Sequence, residues 1–174
     1  MSGDPVGSAV LRRDLHAELA TIVRGRAERG GPLALLGAGT GLGQAAVIRV
    51  SDRELVAPSE GGHADFGPAD EIHGRLSAHL RRKFGPVSRE RVLSGPGLVR
   101  VYEFLRLEGG SRESRDVREA FRRGDDRAAV VSRFGLARRD RLCRAALDLF
   151  VSIYGSEAGN AALQYRATGG VFLA

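Results

Sequence analysis

Apolar positions recur at helical spacing near the start of the chain. Leu11, Leu15, Leu19, Ile22 and Val23 fall on one side of a 3.6-residue period, which predicts an amphipathic helix over 9–26. Gly30-Gly31-Pro32 should end it. The pattern then changes to short apolar runs separated by turn residues. Leu33–Leu36 reads as a strand, Gly37–Gly43 as a glycine-rich turn, Ala45–Val50 as a second strand and Glu54–Ala57, after a Ser51-Asp52 turn, as a third. Three short strands with tight connections predict a meander. The following segment, Pro58-Ser59-Glu60-Gly61-Gly62-His63, is too rich in glycine for a regular element and is expected to be a loop.

From about residue 69 the helical period returns. Ile72, Leu76, His79 and Leu80 share a face, in a helix that should stop before Gly85-Pro86. Pro96 in Ser94-Gly95-Pro96-Gly97 is placed to open a helix running through Leu105. Residues 116–135 carry shorter helical stretches. Asp140 to about Gln164 is the longest helical pattern, with Leu142, Ala146, Phe150, Ile153 and Tyr154 on one side. Gly170 introduces Val171-Phe172-Leu173-Ala174, which reads as a buried strand and suggests a larger fold around it. The chain shows neither an internal repeat nor a low-complexity tract.

Composition narrows the class. With 174 residues, 43% apolar and 28% charged, the chain can bury a core. No apolar run approaches the ~20 residues of a membrane span, and the first residues lack a continuous apolar stretch of signal-peptide length. A single cysteine, Cys143, excludes an internal disulfide and any Cys-based zinc cluster, and fits a reducing, cytoplasmic location. The formal charge is +6, and 26 of the 27 basic residues are arginine, Lys83 being the exception. That bias would suit nucleic acid, but the arginines mostly alternate with acids, as in Arg112-Glu113-Ser114-Arg115-Asp116, and no aromatic residue is interleaved in a basic stripe. A salt-bridged, solvated surface is the better reading.

Three constellations could carry chemistry. In Gly37-Ala38-Gly39-Thr40-Gly41-Leu42-Gly43 the alternating glycines would let N–H groups converge on an anion without Cβ obstruction. Leu42 breaks the G-x-G-x-x-G dinucleotide pattern, and Gln44-Ala45 replaces the Lys-Ser/Thr of a Walker loop. A plain tight hairpin turn is the alternative. The second is Glu60-Gly61-Gly62-His63 with Asp65, followed by Glu90 in Ser88-Arg89-Glu90-Arg91. Carboxylates and an imidazole in a glycine loop suit a ligand dense in hydroxyl groups, although taken alone a solvated acidic loop is the better reading. The third, Arg13-Asp14-Leu15-His16-Ala17, is on composition part of an amphipathic helix.

Taken together, Leu36–Gly43, Ser59-Glu60-Gly61-Gly62-His63-Ala64-Asp65-Phe66, Glu90-Arg91-Val92-Leu93-Ser94-Gly95-Pro96-Gly97 and Gly169–Ala174 resemble, in order and spacing, the bacterial glucokinase family over roughly residues 30–174. They do not resemble the repressor/open-reading-frame/kinase branch, whose zinc-binding cysteine cluster is absent. The resemblance implies an α/β fold: a partial actin-like ATPase (ribonuclease H-like) domain, with the three-stranded antiparallel meander and helices corresponding to most of the large domain. Residues 1–30 would be a remnant of the hinge or small-domain side, and 31–174 an incomplete large domain. The implied activity is ATP-dependent phosphorylation of glucose to glucose 6-phosphate, with ATP and Mg2+ as cofactors.

By the same resemblance Glu60, His63 and Glu90 would contact glucose hydroxyls. Gly39, Thr40, Gly41 and Gly43 would face the ATP phosphates, with Thr40 as a hydroxyl donor. Asp14 would be the general base, in the place of the family's Asn-Asp-(Phe/Leu)-x-Ala motif but preceded by arginine. The expected partners are glucose, ATP, and a second copy of the chain or a complementing fragment, with neither nucleic acid nor membrane. The family's Asp-x-Gly-Gly-Thr hairpin and the portion that completes the adenosine pocket have no counterpart. This chain alone is therefore expected to turn over little, and a non-catalytic, sugar-binding remnant is the alternative.

Overall fold

The computed structural model describes residues 19–51, 53–110 and 112–174. Three strands follow one another, β1 (Leu33–Ala38), β2 (Leu42–Val50) and β3 (Arg53–Ser59), then a single 3-10 turn (Gly61–His63). Five helices come next: α1 (Glu71–Phe84), α2 (Gly95–Glu108), α3 (Arg115–Arg122), α4 (Arg127–Leu136) and α5 (Arg141–Gln164). Strand β4 (Gly170–Leu173) completes the described residues. The sheet order is β3-β2-β1-β4, with β2 and β3 antiparallel from Gln44↔Ser59 to Val50↔Arg53 and β4 parallel to β1 from Leu33↔Gly170 to Leu36↔Leu173.

The meander is present as expected, but the sheet has a fourth, parallel member. That strand differs from its predicted burial: Val171 and Phe172 are half-buried and Leu173 is 37% exposed. The expected loop at 58–63 is also partly regular. Pro58 and Ser59 belong to β3 and Gly61–His63 form the 3-10 turn; proline is tolerated there because β3 lies at the sheet edge, where one side of the strand needs no donor. The helix predicted over 9–26 is not formed in its described part, residues 19–26. Leu19, Ile22 and Val23 are 50%, 78% and 84% exposed, so their periodicity finds no apolar surface to pack on. A short helix without such packing is marginal in water.

The chain divides into two compact units. The sheet unit comprises the chain up to Gly37, Gly43–Gly62 and Glu157–Ala174; the helical unit comprises Ala38–Leu42 and His63–Ser156. In the sheet unit Leu35, Ala45 and Val47 form a small buried cluster, with Leu33 and Val56 against it. Gln44 and Glu157 are buried there and joined, Gln44 Nε2 donating to Glu157 Oε1 at 2.7 Å. The helical unit holds the main core, including Leu76, Leu80, Leu93, Val101, Tyr102, Phe104, Val117, Val130, Leu142 and Ile153.

Each described helix opens on a side chain that accepts from its free N–H groups: Asp70, Ser94, Ser114, Asp126 and Asp140. Asp140 does more than cap α5. One oxygen accepts from Cys143 N at 2.7 Å and the other from Ser114 N at 3.1 Å, so it fastens the start of α3 to the start of α5. Burial pushes its carboxyl up, but these hydrogen bonds outweigh burial and hold it below the ordinary value of 3.8. Cys143 is a core residue, its thiol raised by burial and then by the Asp140 charge.

Two expectations follow from this packing. A Cβ on Gly97, in the first turn of α2, would lie 2.3 Å from the Val92 carbonyl oxygen, whereas one on Gly159, inside α5, would meet nothing within 4 Å. In urea unfolding, Gly97→Ala is expected to destabilise by about 1–3 kcal/mol and Gly159→Ala to stabilise by roughly 0.5–1 kcal/mol. Because the Asp140 carboxyl is lower in the folded than in the unfolded chain, its contribution is present at neutral pH and lost as the pH falls below the ordinary value of 3.8. Asp140→Asn should therefore flatten the acid side of the stability–pH curve, measured by thermal unfolding between pH 7 and 3.

Candidate functional site

Within the helical unit, residues distant in sequence are brought together by short main-chain links. Asp65 pairs with Ser88 as an isolated antiparallel bridge, with Phe66 N donating to Val87 O at 2.8 Å and Arg89 N to Ala64 O at 2.9 Å. This lays the segment after His63 beside the one before Glu90. From there the chain turns tightly, Val92 N and Leu93 N both donating to Arg89 O, and enters α2. Ser94 is 2% exposed and works in both directions: its hydroxyl donates to Glu90 O at 2.8 Å and accepts from Gly97 N at 3.0 Å.

The glycine turn is tied to the same place. Gly95 N donates to Gly39 O at 2.8 Å, and Glu90 Oε2 accepts from Leu42 N at 3.0 Å. The approach is close enough that a Cβ on Gly41 would stand 2.6 Å from Glu90 Oε2. A side chain at position 41 would displace the Glu90 carboxylate from this place. Of the turn's own N–H groups, that of Leu42 is held by Glu90 and that of Gly39 by the Gly41 carbonyl. Thr40, in the middle of the turn, lines two cavities.

Two neighbouring cavities result. The smaller, about 210 Å³, is lined by Thr40, His63, Ser88, Glu90, Arg91, Ser94, Pro96 and Arg100. The larger, about 720 Å³, shares Thr40, Pro96 and Arg100 with it, and adds Gly39, Lys83, Phe84, Gly95, Val99, Glu103, Asp126, Arg127 and Ala128. Of the residues singled out in the sequence, Thr40, His63 and Glu90 therefore line one cavity, and Gly39 and Thr40 the other. Glu60 lies in the sheet unit, exposed and just past the end of β3; Gly43 lies in the same unit, within β2. Asp14 falls outside the described residues.

Of the cations around Phe84, Arg91 lies in the motif at 90–97, whereas Arg100 carries no sequence signal. Phe84 ends α1, and its ring centroid lies 5.3 Å from Lys83 Nζ, 4.7 Å from Arg91 Cζ and 5.3 Å from Arg100 Cζ. Arg100 Nη1 also donates to Arg91 O at 3.0 Å. Burial, then the like charge of Arg91, lowers the Arg100 guanidinium from its ordinary value, with Glu103 and Glu90 opposing. Among the described residues no group of three or more His, Cys, Asp or Glu side chains could hold a metal ion, and no helix is long and apolar enough to cross a membrane.

Comparison with known proteins identifies the family. The model of the family described as Glucokinase matches residues 6–174. The chain is 38% identical to the glucokinase of Nostoc punctiforme over 179 residues, covering 96% of this chain and 51% of that protein. It is 42% identical to the glucokinase of Yersinia enterocolitica over 149 residues, covering 83% and 42% respectively. Among solved structures, glucokinase from an Antarctic psychrotroph superposes with a TM-score of 0.70 at 31% identity, over 86% of this chain and 44% of that one. Glucokinase from Balamuthia mandrillaris in complex with glucose has the same fold, with a TM-score of 0.63 at 23% identity over 83% and 40%. The chain spans about half the length of the curated relatives it matches, 51% of the first. On sequence and on fold, the chain belongs to the glucokinase family.

Proposed function

We propose that this chain supplies the large-domain wall of a glucokinase site, where the γ-phosphoryl group of ATP passes to the 6-hydroxyl of glucose. In this reading residues 31–174 are the large-domain part and 1–30 the hinge side. The observation that carries it is the lining of one small cavity by Thr40, His63 and Glu90, next to a larger one that shares Thr40. At about 210 Å³ the first lies below the ~300–1,000 Å³ of drug-sized pockets and suits a compact polar ligand. Its acceptors are of the kind that hold sugar hydroxyls. The larger cavity joins apolar walls, Phe84, Val99 and Ala128, to the cations Lys83, Arg100 and Arg127, which suits a ligand with a flat ring and phosphates.

Glucose is assigned to the first cavity, lined by His63 and Glu90, and ATP to the second, lined by Gly39 and Thr40. By resemblance alone, Glu60 is a further glucose contact and Gly41 and Gly43 complete the phosphate turn. By resemblance alone, Asp14 is the base that takes the 6-hydroxyl proton as O6 bonds to the γ-phosphorus and ADP leaves. Mg2+ would enter as the counter-ion of the nucleotide, held mainly by its phosphates and water. Catalysis of this kind is almost entirely positioning and charge stabilisation, with no covalent intermediate required. The cytoplasm is the compartment in which both substrates would be met.

Calorimetric titration of the chain with glucose tests the sugar assignment. Glu90→Gln keeps an oxygen for Leu42 N but loses the charge, and His63→Ala removes the imidazole. Each is expected to weaken glucose binding about ten- to a hundred-fold, the range for one charge-assisted hydrogen bond. Glu108→Gln, at the far end of α2 beside Arg75, should leave it unchanged. Equal affinities for the native chain, Glu90→Gln and His63→Ala would overturn the assignment.

A further inference from the structure

Arg100 lines both cavities and stands on the wall between them. Its carboxylate neighbours are otherwise engaged: Glu90 Oε2 accepts from Leu42 N, and Glu103 Oε1 from Arg127 Nη1 at 2.7 Å. Its other close neighbours are cations. Lys83, Arg91 and Arg100 crowd around one phenyl ring, Phe84. Like charges held this near one another repel, and an anion placed among them relieves that repulsion as it binds.

At the two nearby helix starts the main chain is largely committed elsewhere. At the start of α2, Gly95 N is given to Gly39 O, Pro96 has no N–H and Gly97 N is given to Ser94 Oγ. At the start of α4, Asp126 accepts from Ala128 N and Ala129 N. Residues of both helix starts line the larger cavity, with Gly95 N, Gly97 N, Ala128 N and Ala129 N already given, and Asp126 and Glu103 add negative charge to its lining. Beyond the glycine turn, an anion there meets cationic side chains rather than helix amides. Arg100, a planar fork of N–H donors on the half-buried part of α2, matches phosphate oxygens in pairs; Lys83 is the more exposed point charge.

We propose that Arg100, assisted by Lys83, is the residue that holds a phosphate group of the nucleoside triphosphate in the larger cavity. The inference rests on the assignment of that cavity to ATP. It gives a binding task to an arginine of α2 that lies outside the glycine turn and outside the sugar-contacting acids.

Calorimetric titration of the full chain with ATP, and separately with inorganic tripolyphosphate, decides between the outcomes. Both ligands are expected to bind in a salt-dependent manner, and Arg100→Gln to weaken both about ten- to a hundred-fold. Arg100→Lys, which keeps the charge but loses the fork, should fall between. Arg122→Gln, on the exposed face of α3, should bind as the native chain does. Circular dichroism melts confirm that each variant is folded, and Arg122→Gln should also keep the native glucose affinity. Native affinity for both ligands in Arg100→Gln would overturn the role of Arg100 and leave the nucleotide cavity standing. Tripolyphosphate bound through Arg100 without measurable ATP binding would keep the anion site and remove the nucleotide. Binding of neither ligand to the native chain would overturn both.

Discussion

The hydrogen bond from Leu42 N to Glu90 Oε2, 3.0 Å long, is the contact on which the arrangement of the site depends. It joins a glycine turn between two strands to an acidic residue 48 positions later. A charged acceptor on a main-chain donor is among the stronger hydrogen bonds a protein makes, and it fixes the carboxylate's direction as well as its place. The conditions around it follow from geometry. A bare Gly41 leaves room for it, since a Cβ would stand 2.6 Å from the same oxygen and push the carboxylate aside. Ser94 has to present a hydroxyl, since it holds the Glu90 carbonyl with its hydrogen and the α2 amide with its oxygen.

The helical unit supports this point by fixing helix starts. Asp140 ties two of them, and Ser94 ties α2 to the Glu90 turn, so the ends of several helices are set by buried polar groups while the apolar cluster fills the space between. Tyr102 is treated the same way: its ring is fully buried and its hydroxyl donates to Glu113 Oε1 at 2.9 Å. Packing of this type fixes side chains through several directed hydrogen bonds at once.

The electrostatics of the site differ from those of the general surface. Elsewhere arginines meet acids in exposed pairs, such as Arg118 with Glu113 and Arg144 with Asp148, each worth little in solvent. Around Phe84 the pattern is reversed, with cation beside cation and the nearby acids committed to other partners. A reserve of positive charge next to a hydroxyl-bearing glycine turn is the physical feature that separates the larger cavity from the rest of an arginine-rich molecule.

Periodicity alone determined most of the helices here. Glu71–Phe84, Gly95–Glu108 and Arg141–Gln164 agree with the apolar spacing, with Ser94 and Pro96 at the start of the second, because capping and period are local properties. The strand spacing likewise determined the meander, and the motifs pointed to the family. What the sequence could not determine was long-range. The period of Leu19, Ile22 and Val23 predicted a helix that does not form in the described residues, since periodicity says nothing of whether a partner surface exists. The parallel pairing of β4 with β1 depends on a chain return of more than 130 residues. His63 and Glu90 could be named separately, but only the Asp65–Ser88 bridge decided that they face one cavity. Arg100 was invisible, because an arginine on a helix reads as solvated until the fold turns it toward two other cations and a cavity wall. Local rules choose the elements; burial, register and the meeting of like charges are set only when distant segments pack together.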